Sequence, residues 1–409
     1  MPQIAIAPLE NGLNLHQPGC CNATGVRVAM FSGNYNYVRD GANNALNRLA
    51  GYLLDEGAAL RVYSPTASRP AFAPVGDLVS VPSVAFPGRP DYRLALGLNR
   101  TIRRDIEAFA PTIFHLSAPD ILGRRAQRFA RELGVPLLAS LHTRFETYFD
   151  YYGLGFVRRS VERYLKRFYS DCDLVLVPSG CAAELLDDWG LGNRIRIWNR
   201  GVDHTLFSPS RRDMEWRRAQ GFSDDEAVLL FFGRLVVEKG TETFAKVVAQ
   251  LRMRGLKVRP LVVGDGPAHA SFAAQLGQSV FLGHIEGANL ARAVASADIL
   301  LNPSVTEAFG NVNLEAMASG VAVVSADVPS ARALITHSQD GLLVPADDIA
   351  AFADALDMLV RNDLMRHTLG RAAKVRAEHF EWPTILPAVL QAYRELGGLT
   401  DIPAAIAAE

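Results

Sequence analysis

The sequence predicts an α/β protein with two doubly wound domains that face a central cleft. Short apolar strands alternate with helical segments, which is the pattern of a parallel sheet covered by helices on both faces. The pattern breaks near residues 203–218 and starts again at Ala227. In the second half, glycine-rich turns follow apolar strands, and ligands bind at such strand ends in this kind of fold.

The first domain, placed at 25–204 after an extension at 1–24, follows from this alternation. Its predicted strands cover 26–31, 61–63, 79–81, 113–116, 136–141, 174–177 and 195–197. Its predicted helices cover 41–56, 93–108, 121–133, 156–169 and 179–189.

The second domain, placed at 205–382, repeats the pattern. Its predicted strands cover 227–232, 259–263, 280–282, 299–301, 321–324 and 341–344. Its predicted helices cover 241–254, 268–276, 290–296 and 349–360, with one more that begins at Gly310. A last helix at 384–396, within the terminal segment 383–409, is expected to cross back to the first domain.

The composition is that of an ordinary globular protein. Of 409 residues, 49% are hydrophobic and 21% charged, and the net charge is −1. This balance gives no reason to expect a nucleic-acid partner. The four cysteines include no Cys-x-x-Cys pair, and residues 1–24 do not resemble a signal peptide. We therefore expect a cytoplasmic protein with reduced thiols.

The segment 304–320 carries the most informative chemical pattern. Glu307 and Glu315 flank Gly310, at the predicted start of a helix between two apolar strands. A helix N-terminus binds phosphate, whereas ionised carboxylates accept hydrogen bonds from hydroxyl groups. A wholly helical segment would put the carboxylates about 12 Å apart along the axis. Glycosidase pairs are roughly 5–9.5 Å apart, so we expect contacts to two parts of one ligand instead.

Two other turns follow predicted strands. The segment 233–240 contains Arg234 and Lys239, and Lys239 is one of only five lysines among 42 basic residues. Two cations at a strand end suit a diphosphate, and an ordinary surface loop is the alternative. Gly264 and Gly266 allow close approach of the backbone to a nucleotide, or they form a simple turn.

Together these motifs resemble those of the retaining nucleotide-sugar glycosyltransferases of family 4. The resemblance rests on Gly-Arg-x₄-Lys-Gly at 233–240, Val-Gly-Asp-Gly-Pro at 263–267 and Pro-Ser-x₂-Glu-Ala-Phe-Gly-x₃-Leu-Glu-Ala-Met-Ala at 303–318. It covers the chain from about Arg27 to Arg394. It implies the GT-B fold, with two Rossmann-like domains and a nucleotide-sugar donor held mainly by the C-terminal one.

The resemblance assigns a role to each matching residue. The catalytic set is His142, Glu307, Arg234 and Lys239, and the donor-binding set adds Gly41, Gly264, Gly266, Phe309, Gly310, Asn311 and Glu315. The two cations would bind the diphosphate, Glu307 the hexose and Glu315 the ribose. Gly41, which follows Asp40, stands where the family has a glycine pair facing the phosphates. His142 would lie at the reaction centre, and a histidine satisfied by its neighbours is the alternative.

The implied reaction moves a hexose from GDP-mannose or a UDP-hexose to a hydroxyl of a lipid or glycan, with retained configuration. The cations and the helix N-terminus would stabilise the departing nucleoside diphosphate. No Asp-x-Asp motif stands at a strand end, so we expect metal-independent catalysis and no cofactor. The alternatives are a synthase of the sucrose- or trehalose-phosphate type, which accepts a sugar phosphate, and a nucleotide-sugar-binding module without catalysis.

The acceptor is expected on the N-terminal domain. Arg144, Tyr148 and Tyr151 are the candidate contacts, in the aromatic segment after His142. The helix at 156–168 is basic and amphipathic. It would dock on an anionic membrane at the inner face, or pack its apolar stripe on the sheet. Residues 116–120 and 142–146 resemble those of bacterial α-mannosyltransferases and sulfolipid-type glycolipid synthases within the family, and the acceptor is expected to be a lipid or a glycan.

Overall fold

A computed structural model describes residues 23–37, 41–67, 70–86, 89–142 and 155–399. It contains two parallel sheets, one in each half of the chain, and the predicted α/β fold class is confirmed. Hydrophobic cores lie on both faces of each sheet. Alternate residues of one strand explain this, since Ala29 and Phe31 enter one core while Val28 and Met30 enter the other.

Among its described residues, the first half has nine strands: β1 Arg27–Phe31, β2 Ala59–Ser64, β3 Asp77–Ser80, β4 Ser83–Phe86, β5 Arg89–Ala95, β6 Ile113–Leu116, β7 Leu137–Ser140, β8 Leu174–Val177 and β9 Ile195–Ile197. Seven of them form a sheet in the order β3-β2-β1-β6-β7-β8-β9, and β4 and β5 pair as an antiparallel hairpin. The strand order reverses direction between β1 and β6, where this fold opens a crevice. The helices are Gly41–Asp55, Arg100–Phe109, Ile121–Leu133, Arg158–Ser170 and Gly180–Asp188.

Within residues 205–399, the second half has six strands: β10 Ala227–Phe232, β11 Val258–Val263, β12 Val280–Phe281, β13 Ile299–Asn302, β14 Ala322–Ala326 and β15 Leu342–Val344. They form a sheet in the order β12-β11-β10-β13-β14-β15, which reverses between β10 and β13. The helices are Met214–Ala219, Thr241–Met253, His269–Leu276, Gly287–Ala295, Asn311–Ala318, Pro329–Arg332, Ile349–Arg361, Asp363–Ala377 and Trp382–Leu396.

The predicted helix at 93–108 is wrong in its first part. Arg93 belongs to β5, and the helix begins only at Arg100. The strand ends at Ala95, and Gly97, two residues later, has φ +105°, a backbone conformation that favours glycine. The Asn99 side chain then caps the new helix by accepting a hydrogen bond from the Ile102 N–H at 2.9 Å. Strand β4 and the helices Met214–Ala219, Pro329–Arg332 and Asp363–Ala377 had no counterpart in the sequence prediction.

The last helix, Trp382–Leu396, packs on the first sheet. Its buried Leu386, Val389 and Tyr393 share a core with Val28 and Met30 of β1. The end of the chain that follows the second sheet therefore contributes directly to the first domain.

The basic helix Arg158–Ser170 packs most of its apolar stripe inward. Leu165 and Phe168 are buried in the first core, and Val161 packs against it. Phe156, just before the helix, is 80% exposed. No helix within the described ranges is both long and apolar enough to cross a bilayer.

Candidate functional site

A cavity of about 640 Å³ opens between the two domains. It brings together ten of the predicted site residues: Gly41, His142, Arg234, Lys239, Gly264, Glu307, Phe309, Gly310, Asn311 and Glu315. Gly266 does not line it. Arg144, Tyr148 and Tyr151, the predicted acceptor contacts, lie outside the described residues, as does Asp40. The cavity has walls from the carboxyl ends of both sheets, the position expected for a ligand in this architecture.

A helix N-terminus forms part of the second domain's wall. Gly310 has φ +97° and precedes the helix Asn311–Ala318, and no side chain caps this end. Gly310, Asn311 and Val312 all line the cavity. The first turn of such a helix has N–H groups without intrahelical acceptors and a partial positive charge, so this wall favours an anion.

A buried polar network holds this helix start on the sheet. The Asn302 side-chain amide donates to Asn313 Oδ1 at 2.9 Å, and the Asn313 amide donates to Ser325 Oγ at 3.2 Å. Asn302 Oδ1 also accepts from the Ser304 N–H at 3.2 Å. Strands β13 and β14 are thereby tied to the loop before Gly310, and the sequence analysis did not identify these residues.

The two predicted cations differ in their surroundings. Lys239 ends a 3₁₀ turn and its Nζ donates to Glu307 Oε1 at 2.5 Å, with both side chains mostly buried. Arg234 is exposed, and it has no ion pair with any described residue. Of these two cations, Lys239 is held by a carboxylate and Arg234 is available to bind an anion.

Gly264 and Gly266 have a packing role. A Cβ on Gly264 would overlap the carbonyl oxygen of Gly233, and one on Gly266 would overlap that of Leu235. Their φ angles are +130° and +158°. The turns after β10 and β11 therefore pack backbone against backbone, and this contact explains the two glycines without a ligand.

Gly41 meets Asn311 across the cleft. Gly41 begins the helix Gly41–Asp55, and a Cβ there would overlap the Asn311 side-chain amide nitrogen. Asn311 Oδ1 is buried and has no hydrogen-bond partner within the described chain. The N-termini of two helices from different domains thus lie close together in one part of the cavity. The buried Asn311 Oδ1, which lacks a hydrogen-bond partner among the described residues, lies there too.

The two carboxylates line the same cavity, but only Glu315 is on the helix. Because the helix begins at Asn311, the spacing of about 12 Å expected for a wholly helical segment does not apply to Glu307. Loss of hydration raises the pKa of Glu315 to about 8. Glu315 therefore carries a proton for much of the time near neutral pH, which the sequence analysis did not foresee.

Both ring nitrogens of His142 are hydrogen-bonded. Arg200 Nη2 lies 2.7 Å from Nδ1, and Ser140 Oγ lies 2.7 Å from Nε2. Burial, followed by the charge of Arg200, holds the pKa of His142 well below its usual range. Arg200 is itself buried over the Trp198 ring and lines the cavity, and burial lowers its pKa to about 9. The sequence analysis did not find Arg200.

In the described part of the chain, no group of three or more His, Cys, Asp or Glu side chains is arranged to hold a metal ion. The cavity brings the predicted cations Arg234 and Lys239, a helix N-terminus and the carboxyl groups of Glu307 and Glu315 around one space, and Arg200, Asp265 and Glu286 also line it. Such a site suits an anionic ligand that also carries hydroxyl groups.

Comparison with family models covers both domains. Residues 39–206 match the model described as Glycosyltransferase Family 4, and residues 226–362 match Glycosyl transferases group 1. The first match includes every strand of the first sheet except β1, and the second includes all six strands of the second sheet.

Similar proteins match most of the chain. A GDP-mannose-dependent alpha-mannosyltransferase of Mycolicibacterium smegmatis is 31% identical over 93% of this chain and 100% of its own. The sulfoquinovosyl transferase SQD2 of Arabidopsis thaliana is 31% identical over 71% of this chain and 58% of its own.

Among solved structures, the sucrose-phosphate synthase of Thermosynechococcus elongatus aligns with a TM-score of 0.76 at 21% identity, over 92% of this chain and 100% of its own. Anabaena Alr3699/HepE in complex with UDP-glucose aligns with a TM-score of 0.69 at 17% identity, over 90% and 99%. At these identities the two structures support the fold.

Proposed function

This chain belongs to family 4 of the glycosyltransferases, with the GT-B fold, and we propose on that basis that it is a retaining hexosyltransferase. The donor is a nucleotide diphosphate hexose, GDP-mannose or a UDP-hexose, and the acceptor is a hydroxyl of a lipid or glycan. The observation that carries the proposal is the cavity itself. Arg234, Lys239 and the helix start at Gly310 offer positive charge there, while Glu307 and Glu315 offer acceptors.

The donor is proposed to lie along the second domain's wall. Its diphosphate contacts Arg234, Lys239 and the N–H groups after Gly310, because these positive groups lie on the second domain's side of the cavity, whereas Arg200 lies beside His142 on the first domain. Hydroxyl groups of the hexose donate to Glu307 and those of the ribose to Glu315. Gly41 closes the phosphate end from the opposite domain, and the unpartnered Asn311 Oδ1 there accepts a further hydroxyl.

In the proposed reaction, the bond between the hexose C1 and the β-phosphate oxygen breaks, and a bond between C1 and the acceptor oxygen forms on the same face. The acceptor hydroxyl gives its proton to the departing phosphate oxygen. Positive charge around that phosphate stabilises the negative charge that develops. His142 lines the reaction centre as an uncharged ring. It is a poor base, because its pKa is low and both of its ring nitrogens are already hydrogen-bonded.

A lipid acceptor is supported by one kind of relative. The alpha-monoglucosyldiacylglycerol synthase of Streptococcus pneumoniae is 27% identical over 87% of this chain and 83% of its own. The proposed approach is by peripheral contact with the inner face of the membrane through the segment 156–168. Because most of its apolar stripe is buried, this contact would depend on the exposed Phe156 and on the basic residues.

The proposal is tested first by ligand-induced stabilisation. A ligand that binds only the folded state raises Tm, so UDP, GDP and ADP sugars are compared in one thermal-shift panel. One base and hexose should stand out. That donor is then offered to diacylglycerol vesicles, to a neutral oligosaccharide and to a hexose phosphate, and the product's anomeric configuration is read by NMR. Absence of stabilisation by every nucleotide sugar would overturn the proposal, and transfer to the hexose phosphate alone would identify the sugar-phosphate synthase.

A further inference from the structure

A continuous chain of five hydrogen-bonded side chains runs from the last helix to the cleft. Tyr393 OH lies 2.5 Å from His115 Nδ1, and His115 Nε2 lies 2.9 Å from Ser140 Oγ. Ser140 Oγ lies 2.7 Å from His142 Nε2, and His142 Nδ1 lies 2.7 Å from Arg200 Nη2. Tyr393 and His115 are both 0% exposed, so water does not replace these contacts.

The chain joins parts of the sequence that are far apart. Tyr393 is on the helix Trp382–Leu396, which follows the second domain, whereas His115 is on β6, 278 residues earlier. Ser140 ends the neighbouring strand β7, and β6 pairs with β7 in parallel. The Trp198 ring packs edge-on against both histidine rings, at 6.4 Å from His115 and 5.5 Å from His142.

The Arg200 end fixes the direction of the first hydrogen bond. A guanidinium can only donate, so Nδ1 of His142 must accept and therefore carries no proton. A neutral His142 then has its proton on Nε2 and donates it to Ser140 Oγ. Ser140 and His115 hold the ring in place from that side, and Tyr393 in turn holds His115 by its other nitrogen. Every nitrogen of both rings thus has a partner.

We propose that Tyr393 is a positioning residue for His142, acting through His115 and Ser140. The helix that returns from the second domain thereby helps to hold the ring orientation of His142, whose tautomer is fixed by Arg200. The assignment of His142 to the reaction centre rests on the proposed function, but the hydrogen-bond chain does not. Buried polar networks of this kind restrict a site to one arrangement when all of their members are satisfied.

The decisive variant is Tyr393→Phe, which removes one hydroxyl and keeps the ring in its core. The matched control is Tyr63→Phe. Tyr63 is also 0% exposed, and its hydroxyl donates to Asp105 at 2.9 Å, outside the chain that leads to His142. Each variant loses one hydrogen bond of a tyrosine hydroxyl in the first domain, buried at Tyr393 and partly buried at Tyr63, so a general loss of stability is expected in both.

The test reads the histidine tautomers directly, in full-length protein labelled with ¹⁵N-histidine. In the wild type, His142 should show a protonated Nε2 and an unprotonated Nδ1, with its signals assigned by loss in His142→Gln. Tyr393→Phe should shift both the His115 and the His142 ring signals, whereas Tyr63→Phe should leave them unchanged. Unaltered His142 signals in Tyr393→Phe, or a protonated Nδ1 in the wild type, would overturn the inference.

A kinetic measurement follows with the donor found in the thermal-shift panel. Tyr393→Phe should lower kcat about fivefold, because His115 loses one of the hydrogen bonds that hold His142 in place through Ser140. The donor KM should stay within about twofold of the wild type, because the contacts to the donor are kept. Ser140→Ala, which interrupts the chain one link from His142, should do the same and stands in if Tyr393→Phe does not fold. An equal fall in Tyr63→Phe would show a structural effect only. If no donor is found, the proposed function fails while the tautomer measurement still decides the inference.

Discussion

Lys239 Nζ donates to Glu307 Oε1 at 2.5 Å, although the two residues are 68 positions apart. Their side chains are 20% and 17% exposed, so each charge is largely withdrawn from water and neutralised by the other. Removing one partner would leave the other charge uncompensated. Since we assign Lys239 to the diphosphate and Glu307 to the hexose, donor binding must divide this pair between two parts of one ligand.

Lys239→Ala should therefore weaken donor binding strongly. The variant loses a charge-assisted contact to the diphosphate and also leaves Glu307 as a bare negative charge beside it. We expect an affinity loss of about 10- to 100-fold, equivalent to the ~1.5–3 kcal/mol of a hydrogen bond to a charged group. Calorimetric titration with UDP and GDP measures this. Lys246→Ala is the control, because Lys246 also pairs with a glutamate but is 54% exposed on a helix. Normal donor binding by Lys239→Ala would contradict the assignment of Lys239 to the donor site.

Glu307→Gln should separate binding of the diphosphate from transfer of the hexose. The neutral amide releases Lys239 from its ion pair, so binding of the free nucleoside diphosphate should be unchanged or tighter. Transfer should nevertheless fall by about 100-fold, because the hexose loses a charged acceptor that orients it. Calorimetry with the diphosphate and single-turnover transfer are compared on the same sample. A parallel loss in both measurements would mean that Glu307 does not contact the hexose.

Gly41→Ala tests the contact between the domains. Its new methyl group overlaps the Asn311 side chain, so that amide must move or the cleft must open at the phosphate end. We expect kcat/KM for the donor to fall about tenfold with little change in Tm.

Gly51→Ala provides the comparison on the same helix. A Cβ at Gly51 meets nothing closer than Val75 Cγ1 at 3.9 Å. Alanine should stabilise the helix by up to about 1 kcal/mol and leave kinetics unchanged. Equal kinetics for Gly41→Ala and Gly51→Ala would show that Gly41 does not approach the donor.

Transfer is expected to be independent of divalent metal ions. Arg234, Lys239 and the helix N-terminus together supply positive charge at the proposed position of the departing phosphate. Initial rates in excess EDTA should equal those in Mg²⁺ or Mn²⁺ within about twofold. A rate that disappears with EDTA and returns with one metal would refute this prediction.

The sequence predicted the fold where local patterns decide it. Strand β8 is a four-residue apolar run that is buried throughout, and β6 is equally buried, with His115 as its one polar residue. The helix start at Gly310 followed from a glycine between two strands, and the structure places it there. The error at 93–108 arose because pairing of β5 with β4 is a tertiary preference, which overrides the local helical pattern.

The parts of the site that escaped prediction depend on distant contacts. Nothing near His115 indicates that a tyrosine 278 residues later completes its hydrogen bonds. Arg200 is one arginine among many in the sequence, and only its burial beside His142 distinguishes it. Motif spacing therefore identified the residues of the cavity wall, whereas the groups that hold them in place required the folded chain.

The raised pKa of Glu315 gives a measurable pH dependence. Its value of about 8 lies above the ordinary 4.5, so the folded state favours the protonated carboxyl. This side chain therefore lowers stability progressively as pH rises from about 4.5 towards 8, and the effect is complete above that. Glu315→Gln should remove this contribution, seen as a smaller fall in Tm across the same pH range.

Donor binding should favour the ionised form of Glu315, whereas the protein without donor favours the protonated form. Ribose hydroxyls donate to an ionised carboxylate, so binding lowers the pKa and releases a proton at pH 7. A nucleotide sugar is the suitable probe, because both of its phosphates are esterified and neither titrates near pH 7. The calorimetric enthalpy should vary with the ionisation enthalpy of the buffer, with a slope of up to about one proton released. Glu315→Gln should bind without this slope; a slope unchanged in that variant would place the released proton elsewhere and remove the evidence that Glu315 contacts the ribose.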